Sequence, residues 1–313
     1  MKKMYKSKNL ITGTWKAKVF YVCVIILPML QFLTFYFGVL VNSVLLSFKE
    51  YDMSSGEYVF GGGAYNYRLF FAELKSPSSN LGQMFVNSGI VWLASTMLGI
   101  TLALFFAFYI TKKMAGSGFF KLMLFLPTIV STIAMALIYR RFTDKFLYSF
   151  FNDVFHYDFG KPFAGKPNEQ FTACVIYTLI MGFGTQVLMY TGVMSRIPTS
   201  IVEYATLDGI NAFQEFFIIT LPLVYPTIST FLVAGVGGFF INQAGMYDFF
   251  NSKAEQSIQT LGYFMYNKTA GDGAVLSDYP KMSAYGVIFT LIAVPVTLLA
   301  RWGLEKLSPN VEY

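Results

Sequence analysis

Few side chains in this sequence could make or break bonds, and those few stand apart from one another. Cys23 and Cys174 both fall inside apolar segments, and the single histidine, His156, sits in a polar and aromatic connector. No other Cys or His stands at ligand spacing to them, so neither a metal site nor a disulfide framework is indicated. The phosphate loop GxxxxGK[ST] is absent, as are HExxH and GxSxG. The remaining polar chemistry lies among hydrocarbon side chains. Gln186 and Tyr190, one helical turn apart, and Asn242, Gln243 and Tyr247 are hydrogen-bonding groups within apolar stretches. In a bilayer such groups mark either the path of a polar solute or hydrogen bonds between helices. The second alternative is close at hand, because the small-residue runs at 182–184 and 235–238 allow helices to approach closely.

The elements that must position these groups are read from composition. Of 313 residues, 55% are hydrophobic and only 13% charged, against about 25% charged in an ordinary soluble domain. The apolar residues gather into six blocks, roughly 19–48, 84–111, 121–139, 171–194, 221–247 and 282–302. Each is near the ~20 residues that a spanning helix requires. Pro28, Pro127 and Pro295 lie within blocks and predict bends. The basic start followed by an apolar run resembles a signal peptide, but no small-residue cleavage site follows, so a retained first helix is expected. The net charge of +6 is not a nucleic-acid signature, because Lys2, Lys3, Lys6, Lys8, Lys16 and Lys18 crowd the segment before the first block. That cluster predicts a cytoplasmic N-terminus, although Arg140 and Arg141 count the other way. Six spans would then return the C-terminus to the cytoplasm. Three long connectors, 49–83, 140–170 and 248–281, would lie outside, where they could dock a partner or simply tie helices together.

Between the fourth and fifth blocks, 197–222 is too polar to insert and too apolar for a casual loop. Glu203, Asp208, Gln214 and Glu215 would all enter hydrocarbon, each charge costing about 2.5 to 3.5 kcal/mol. Two short helices on the inner face are expected instead. Ser200 with Glu203 has the spacing of a capping box after Pro198, and Asn211 with Gln214 repeats it. Gly209, following Asp208, is placed to end the first helix in the left-handed conformation. Ile201, Tyr204, Ala205, Phe213 and Phe216 are expected to be exposed, ready to dock a partner or to lie on the bilayer.

The run EYATLDGINAFQEFFIITLPLVYPT resembles the "EAA" motif of permease subunits of binding-protein-dependent ABC importers. Glu203, Ala205, Gly209, Ile219, Leu221 and Pro222 match that pattern, and Tyr204 departs from its middle alanine. The run NSGIVWLAST at 87–96 resembles the start of the family's transmembrane unit. The closing run SAYGVIFTLIAVPVTLLARWGLEK resembles the end of its sugar permeases. The likeness covers about 87–306 and points to carbohydrate permeases related to the first membrane subunit of the maltose system.

The resemblance implies an all-α polytopic membrane protein with six transmembrane helices, a five-helix permease core and a cytoplasmic coupling helix pair. It divides the chain into an N-terminal tail, first helix and outer loop (1–82), a transmembrane domain (83–306) with the coupling loop at 197–222, and a C-terminal tail (307–313). The pair would dock on an ATP-hydrolysing subunit. Glu203 would make a polar or ionic contact there, with Tyr204 and Asp208 beside it, and Ala205 would permit close approach. Gly209 would allow the sharp turn, and Leu221 and Pro222 would anchor the pair to the fifth span. The implied partners are a second permease subunit in a heterodimer, two ATPase subunits, an extracellular or lipid-anchored solute-binding protein, the bilayer and a carbohydrate, by the likeness an oligosaccharide. Its hydroxyls and ring faces would suit the amides and aromatics at Gln186, Tyr190, Asn242, Gln243 and Tyr247. No cofactor or metal is expected in this chain; ATP and Mg would belong to the ATPase, and the chain is not expected to be an enzyme. The location implied is the cytoplasmic membrane. The alternatives are a self-contained secondary transporter or channel for a small polar solute and, third, a membrane-embedded enzyme. Both lack support in the spans, where no interior charge for ion coupling and no nucleophile or base constellation is evident.

Overall fold

A computed structural model describes residues 15–61, 63–156 and 160–307. The lysines at 2, 3, 6 and 8, and with them the placement of both chain termini and the tail from 308, lie outside the described residues. Five helices are long and apolar enough to cross a bilayer: α1 (Lys18–Ser47), α3 (Leu81–Thr111), α6 (Pro167–Met194), the long segment Ala212–Lys253, and Leu276–Lys306. A bent pair, α4 (Ser117–Ile129) and α5 (Thr132–Phe155), counted as one span, makes the sixth.

That pair differs from the simple bend expected at Pro127. The axis turns by 114° across the two residues between the helices. Pro127 has no N–H to donate back to the preceding turn, and its ring crowds the carbonyl there. Thr128 Oγ1 donates to the carbonyl of Phe125 at 2.7 Å. Val130 and Ser131 are extended before α5 begins. The connectors are also more ordered than their composition suggests. Residues 49–60 form an antiparallel hairpin of β1 (Lys49–Asp52) and β2 (Glu57–Phe60), the only strands among the described residues. α2 (Tyr65–Lys75) follows it, and α5 continues through Arg140 and Arg141 to Phe155.

α3 and α6 form the centre, with α4 against α6. Beside α3 runs α8, a continuous helix made of Ala212–Glu215, the π-turn Phe216–Thr220 and Leu221–Ile241. Two shorter helices, α9 (Met246–Phe250) and α10 (Leu261–Thr269), lead to the last span, α11 (Tyr279–Lys306), which packs on α8. Small residues set the closest approaches. Ala103 and Ala107 of α3 are fully buried, and at Gly184 of α6 an added Cβ would lie 1.9 Å from the Leu124 carbonyl oxygen of α4. α1 stands apart, its side chains open along nearly its whole length, and only the stretch Val39–Ser47 packs, against α11.

On the face opposite α7 (Thr199–Leu207), side chains lace the connectors to the spans. Asn87 Nδ2 donates to the carbonyls of Ser257 (2.9 Å) and Gln259 (3.0 Å), and Ser88 Oγ accepts from Leu261 N at 2.9 Å. Asn66 Nδ2 donates to the carbonyls of Ser47 and Lys49, satisfying the C-terminal end of α1. Glu73 of α2 holds α11 through Lys281 Nζ at 2.6 Å and the Tyr285 hydroxyl at 2.5 Å. Glu73→Ala should therefore cost about 2 kcal/mol, the scale of hydrogen bonds to a charged group. The check is a lower thermal midpoint in detergent; an unchanged midpoint would show that α2 is held by packing alone.

Candidate coupling site and passage

The coupling segment is built from two helix ends and one turn. α7 starts immediately after Pro198, which itself occupies the N-cap with extended backbone and no side-chain bond. Ser200 and Glu203 therefore sit inside the first turns, one step too late to cap them, and the capping box expected there is not formed. The other end matches its sequence. Gly209 has φ +77°, its N–H bonds to the Thr206 carbonyl, and the Ile210 N–H bonds to the Ala205 carbonyl, both at 3.1 Å. This pair of bonds is the Schellman closure, and it needs a residue at ease in the left-handed region. Asn211 then opens α8 with a reciprocal capping box: Gln214 N donates to Asn211 Oδ1 at 2.9 Å and Asn211 N to Gln214 Oε1 at 3.0 Å.

The second helix is not a separate piece ending at Leu221-Pro222. Its first turn passes through the π-turn directly into the span, with helical backbone at both junctions. Pro222 cannot donate a backbone hydrogen bond, and widening the preceding turn to i→i−5 accommodates the missing donor without breaking the helix. The first turn of α8 is therefore one body with its transmembrane length.

Exposure sorts the expected contacts. Tyr204 is 70% exposed, Leu207 83% and Phe213 68%, and Glu203 and Asp208 are open beside them. Ala205 and Phe216, expected on the surface, are instead buried within this chain at 6% and 4%, and Ile201 is half-buried. Ala205 lies on the opposite side of α7 from the exposed stripe, where a small side chain lets the helix seat closely. Phe216 stacks on Phe105 of α3 at 4.8 Å and meets Phe108 edge-on at 5.2 Å. Beside it, Lys112 Nζ lies 2.5 and 2.6 Å from the two carboxylate oxygens of Glu215. The sequence reading gave these two residues no site role, since they are paired across 103 positions and no local pattern links them.

The five polar residues within apolar stretches separate into different situations. Tyr190 is fully buried against Phe231 of α8 at 5.3 Å, in the packing between α3, α6 and α8. Gln186 lies over Gly99 of α3, where an added Cβ would come within 3.3 Å of its Oε1. Both face other helices of this chain, the interhelical arrangement. Asn242 and Gln243 are not helical: α8 ends at Ile241, Asn242 is extended, and Ala244 and Gly245 both have positive φ. Asn242 is used in holding this break, accepting Ala244 N at its Oδ1 (2.8 Å) and Thr260 Oγ1 at its carbonyl (2.9 Å). Gln243 lines an open groove of ≈ 530 Å³ between α8, α10 and α11, together with Tyr266, Thr269, Phe289 and Thr290. Tyr247 of α9 stands edge-on to Tyr266 at 4.8 Å, so an aromatic pair and an amide meet at the break. Among the described residues no group of three or more His, Cys, Asp or Glu could hold a metal ion.

Comparison with known proteins agrees with this architecture. Residues 95–313 match the family model described as "Binding-protein-dependent transport system inner membrane component". The chain is 22% identical over 276 residues to the arabinooligosaccharides transport system permease protein AraP of Bacillus subtilis, covering 87% of this chain and 84% of that protein. It is 22% identical over 278 residues to the multiple sugar-binding transport system permease protein MsmF of Streptococcus mutans, covering 86% and 90%. A chain of a bacterial ABC transporter that imports the acidic polysaccharide alginate superposes with TM-score 0.78 at 16% identity, over 94% of this chain and 98% of that one. The match extends over more than two thirds of the sequence and takes in α4 to α11 with the turn at Gly209: this chain belongs to the family of binding-protein-dependent transport system inner membrane components.

Proposed function

We propose that the chain is one of two permease subunits of an ATP-driven importer that passes a carbohydrate, of oligosaccharide size, from an external binding protein into the cytoplasm. The observation that carries this reading is the rigid, capped turn at Gly209, joined to a helix that runs unbroken into the membrane. A partner's motion applied to Tyr204, Leu207 and Phe213 would be passed to the span through such an element, whereas a flexible loop would absorb it. On this reading Glu203, Tyr204 and Asp208 meet the ATPase, Gly209 makes the turn, and Leu221 and Pro222 tie the pair to the fifth span. Ala205 acts from within the chain, by seating α7. The face carrying α7 is then cytoplasmic, as the N-terminal lysines suggest, and residues 83–306 form the transmembrane domain.

The carbohydrate assignment is supported by the substrates in the names of AraP, MsmF and the alginate transporter. An external binding protein is supported by the family description and by a related alginate transporter solved with a pentasaccharide-bound periplasmic protein. Gln243 and Tyr247, with Tyr266 beside them, are the residues we assign to the passage, because amide and aromatic groups line an open groove there. Gln186, Tyr190 and Asn242 we assign to holding helices and the break.

Purification of the tagged chain from its native membrane in mild detergent should recover a second permease, an ATPase with its Mg-ATP site and, under substrate, a binding protein. Recovery of the chain alone at full yield would sink the reading in favour of a self-contained transporter or channel.

A further inference from the structure

The ion pair between Lys112 and Glu215 is more than a surface contact. Glu215 is 8% exposed, and the two side chains are 10% and 28% exposed for Glu215 and Lys112. Each charge also lies at the helix end that favours it. Lys112 caps the C-terminus of α3, and Glu215 lies in the first turn of α8. Lys112 sits 5.6 Å over the Phe108 ring, which also meets Phe216. Phe105, Phe108 and Lys112 fall at i, i+3 and i+7, one stripe of α3, and this stripe holds Glu215 and Phe216 where the π-turn begins.

We propose that Lys112 and Glu215 form the positioning pair that fixes the coupling helices to the second span, so that α3 and the start of α8 move as one unit when the ATPase moves. This rests on the reading of α7 and the start of α8 as the ATPase dock. The pair joins the dock to a span other than the one it continues into. The Schellman turn alone ties α7 to α8 but leaves the pair free to pivot about the π-turn. Removing one partner leaves the other charge largely buried and uncompensated, so the clasp opens rather than relaxing in place.

The test uses the complete transporter, purified with its ATPase and binding protein and reconstituted in liposomes. Lys112→Met should keep the ATPase bound through purification, yet move about tenfold less substrate per ATP hydrolysed, within the usual range of coupling free energies. Lys112→Arg should couple like the parent, and the exchanged pair Lys112→Glu with Glu215→Lys should recover most of the loss. A Lys112→Met transporter with unchanged substrate moved per ATP overturns the proposal, as does an exchanged pair no better than the single variants. If Lys112→Met fails to accumulate, the exchanged pair decides. Accumulation with coupling supports a positioning pair, and failure of the exchange as well assigns the pair to folding and overturns it. Parent chain recovered without any ATPase overturns the docking reading itself, whatever Lys112 does.

Discussion

Gly209→Val should abolish substrate uptake while the protein still inserts and accumulates. Gly209 has φ +77°, and no atom lies within 4 Å of where a Cβ would stand, so the effect is one of backbone and not of collision. A β-branched residue held in the left-handed region costs roughly 1–3 kcal/mol. The chain relieves that strain by unwinding the turn, which gives up the bonds from Gly209 to Thr206 and from Ile210 to Ala205. A strain of about 2 kcal/mol shifts the balance between closed and unwound turn about 30-fold. The turn lies outside the helix packing, so the spans themselves are untouched. Two controls separate conformation from side-chain size. Gly209→Asn should keep most activity, since asparagine tolerates this region, and Gly209→Ala should fall between. Uptake into proteoliposomes and the amount of inserted protein are measured together. Normal uptake by the valine variant would show that the turn plays no part in coupling.

Gly184→Val should instead destroy the protein before function can be assayed. A Cβ there would lie 1.9 Å from the Leu124 carbonyl oxygen and 2.9 Å from its carbon, both backbone atoms of α4. A side chain could swing aside, but a helix backbone cannot, so α4 and α6 would have to separate along their contact. Overpacking of this kind costs about 3 kcal/mol or more. The expected result is little folded protein in the membrane, with what is recovered aggregating on detergent exclusion chromatography. Gly182→Ala, two residues away, is the control, because nothing lies within 4 Å of its Cβ position. Equal accumulation of the valine and alanine variants would show that the close approach is not required.

The contrast between Gly182 and Gly184 also shows where reading the sequence stops. The run Gly182-Phe183-Gly184 announces close packing, but only the partner helix's position says which glycine faces it. The coupling segment was legible because its determinants are local: Gly209 two residues beyond α7, and Asn211 three before Gln214, specify a turn and a cap within one stretch of chain. The same local rules misled at Ser200, where Pro198 had already taken the cap position, and at Pro222. A proline near a helix start reads as a beginning, whereas here it lies inside a helix whose turn has widened around it. At Pro127 the sequence announced a bend, and the structure shows a full break two residues wide. The break at Asn242–Gly245 falls in an apolar stretch whose hydropathy matches that of a continuous span. Lys112 with Glu215 and Glu73 with Lys281 were beyond reach for another reason. Ion pairs that close over 103 and 208 positions are products of the fold and leave no trace in spacing.

The unbroken passage from Asn211 through the π-turn to Ile241 has a consequence in the arithmetic of levers. From Leu221 to Ile241 the helix has 21 residues, which at 1.5 Å per residue is an arm of about 31 Å. If the clasp at Glu215 and Phe216 is the fulcrum, a tilt of about 5° carries the far end roughly 3 Å, by the geometry of a rigid rod. That end is where the chain breaks at Asn242, with Gln243 and Tyr247 next in line. A rotation too small to disturb packing at one face of the membrane is thereby comparable, at the other, with the width of a single sugar hydroxyl contact.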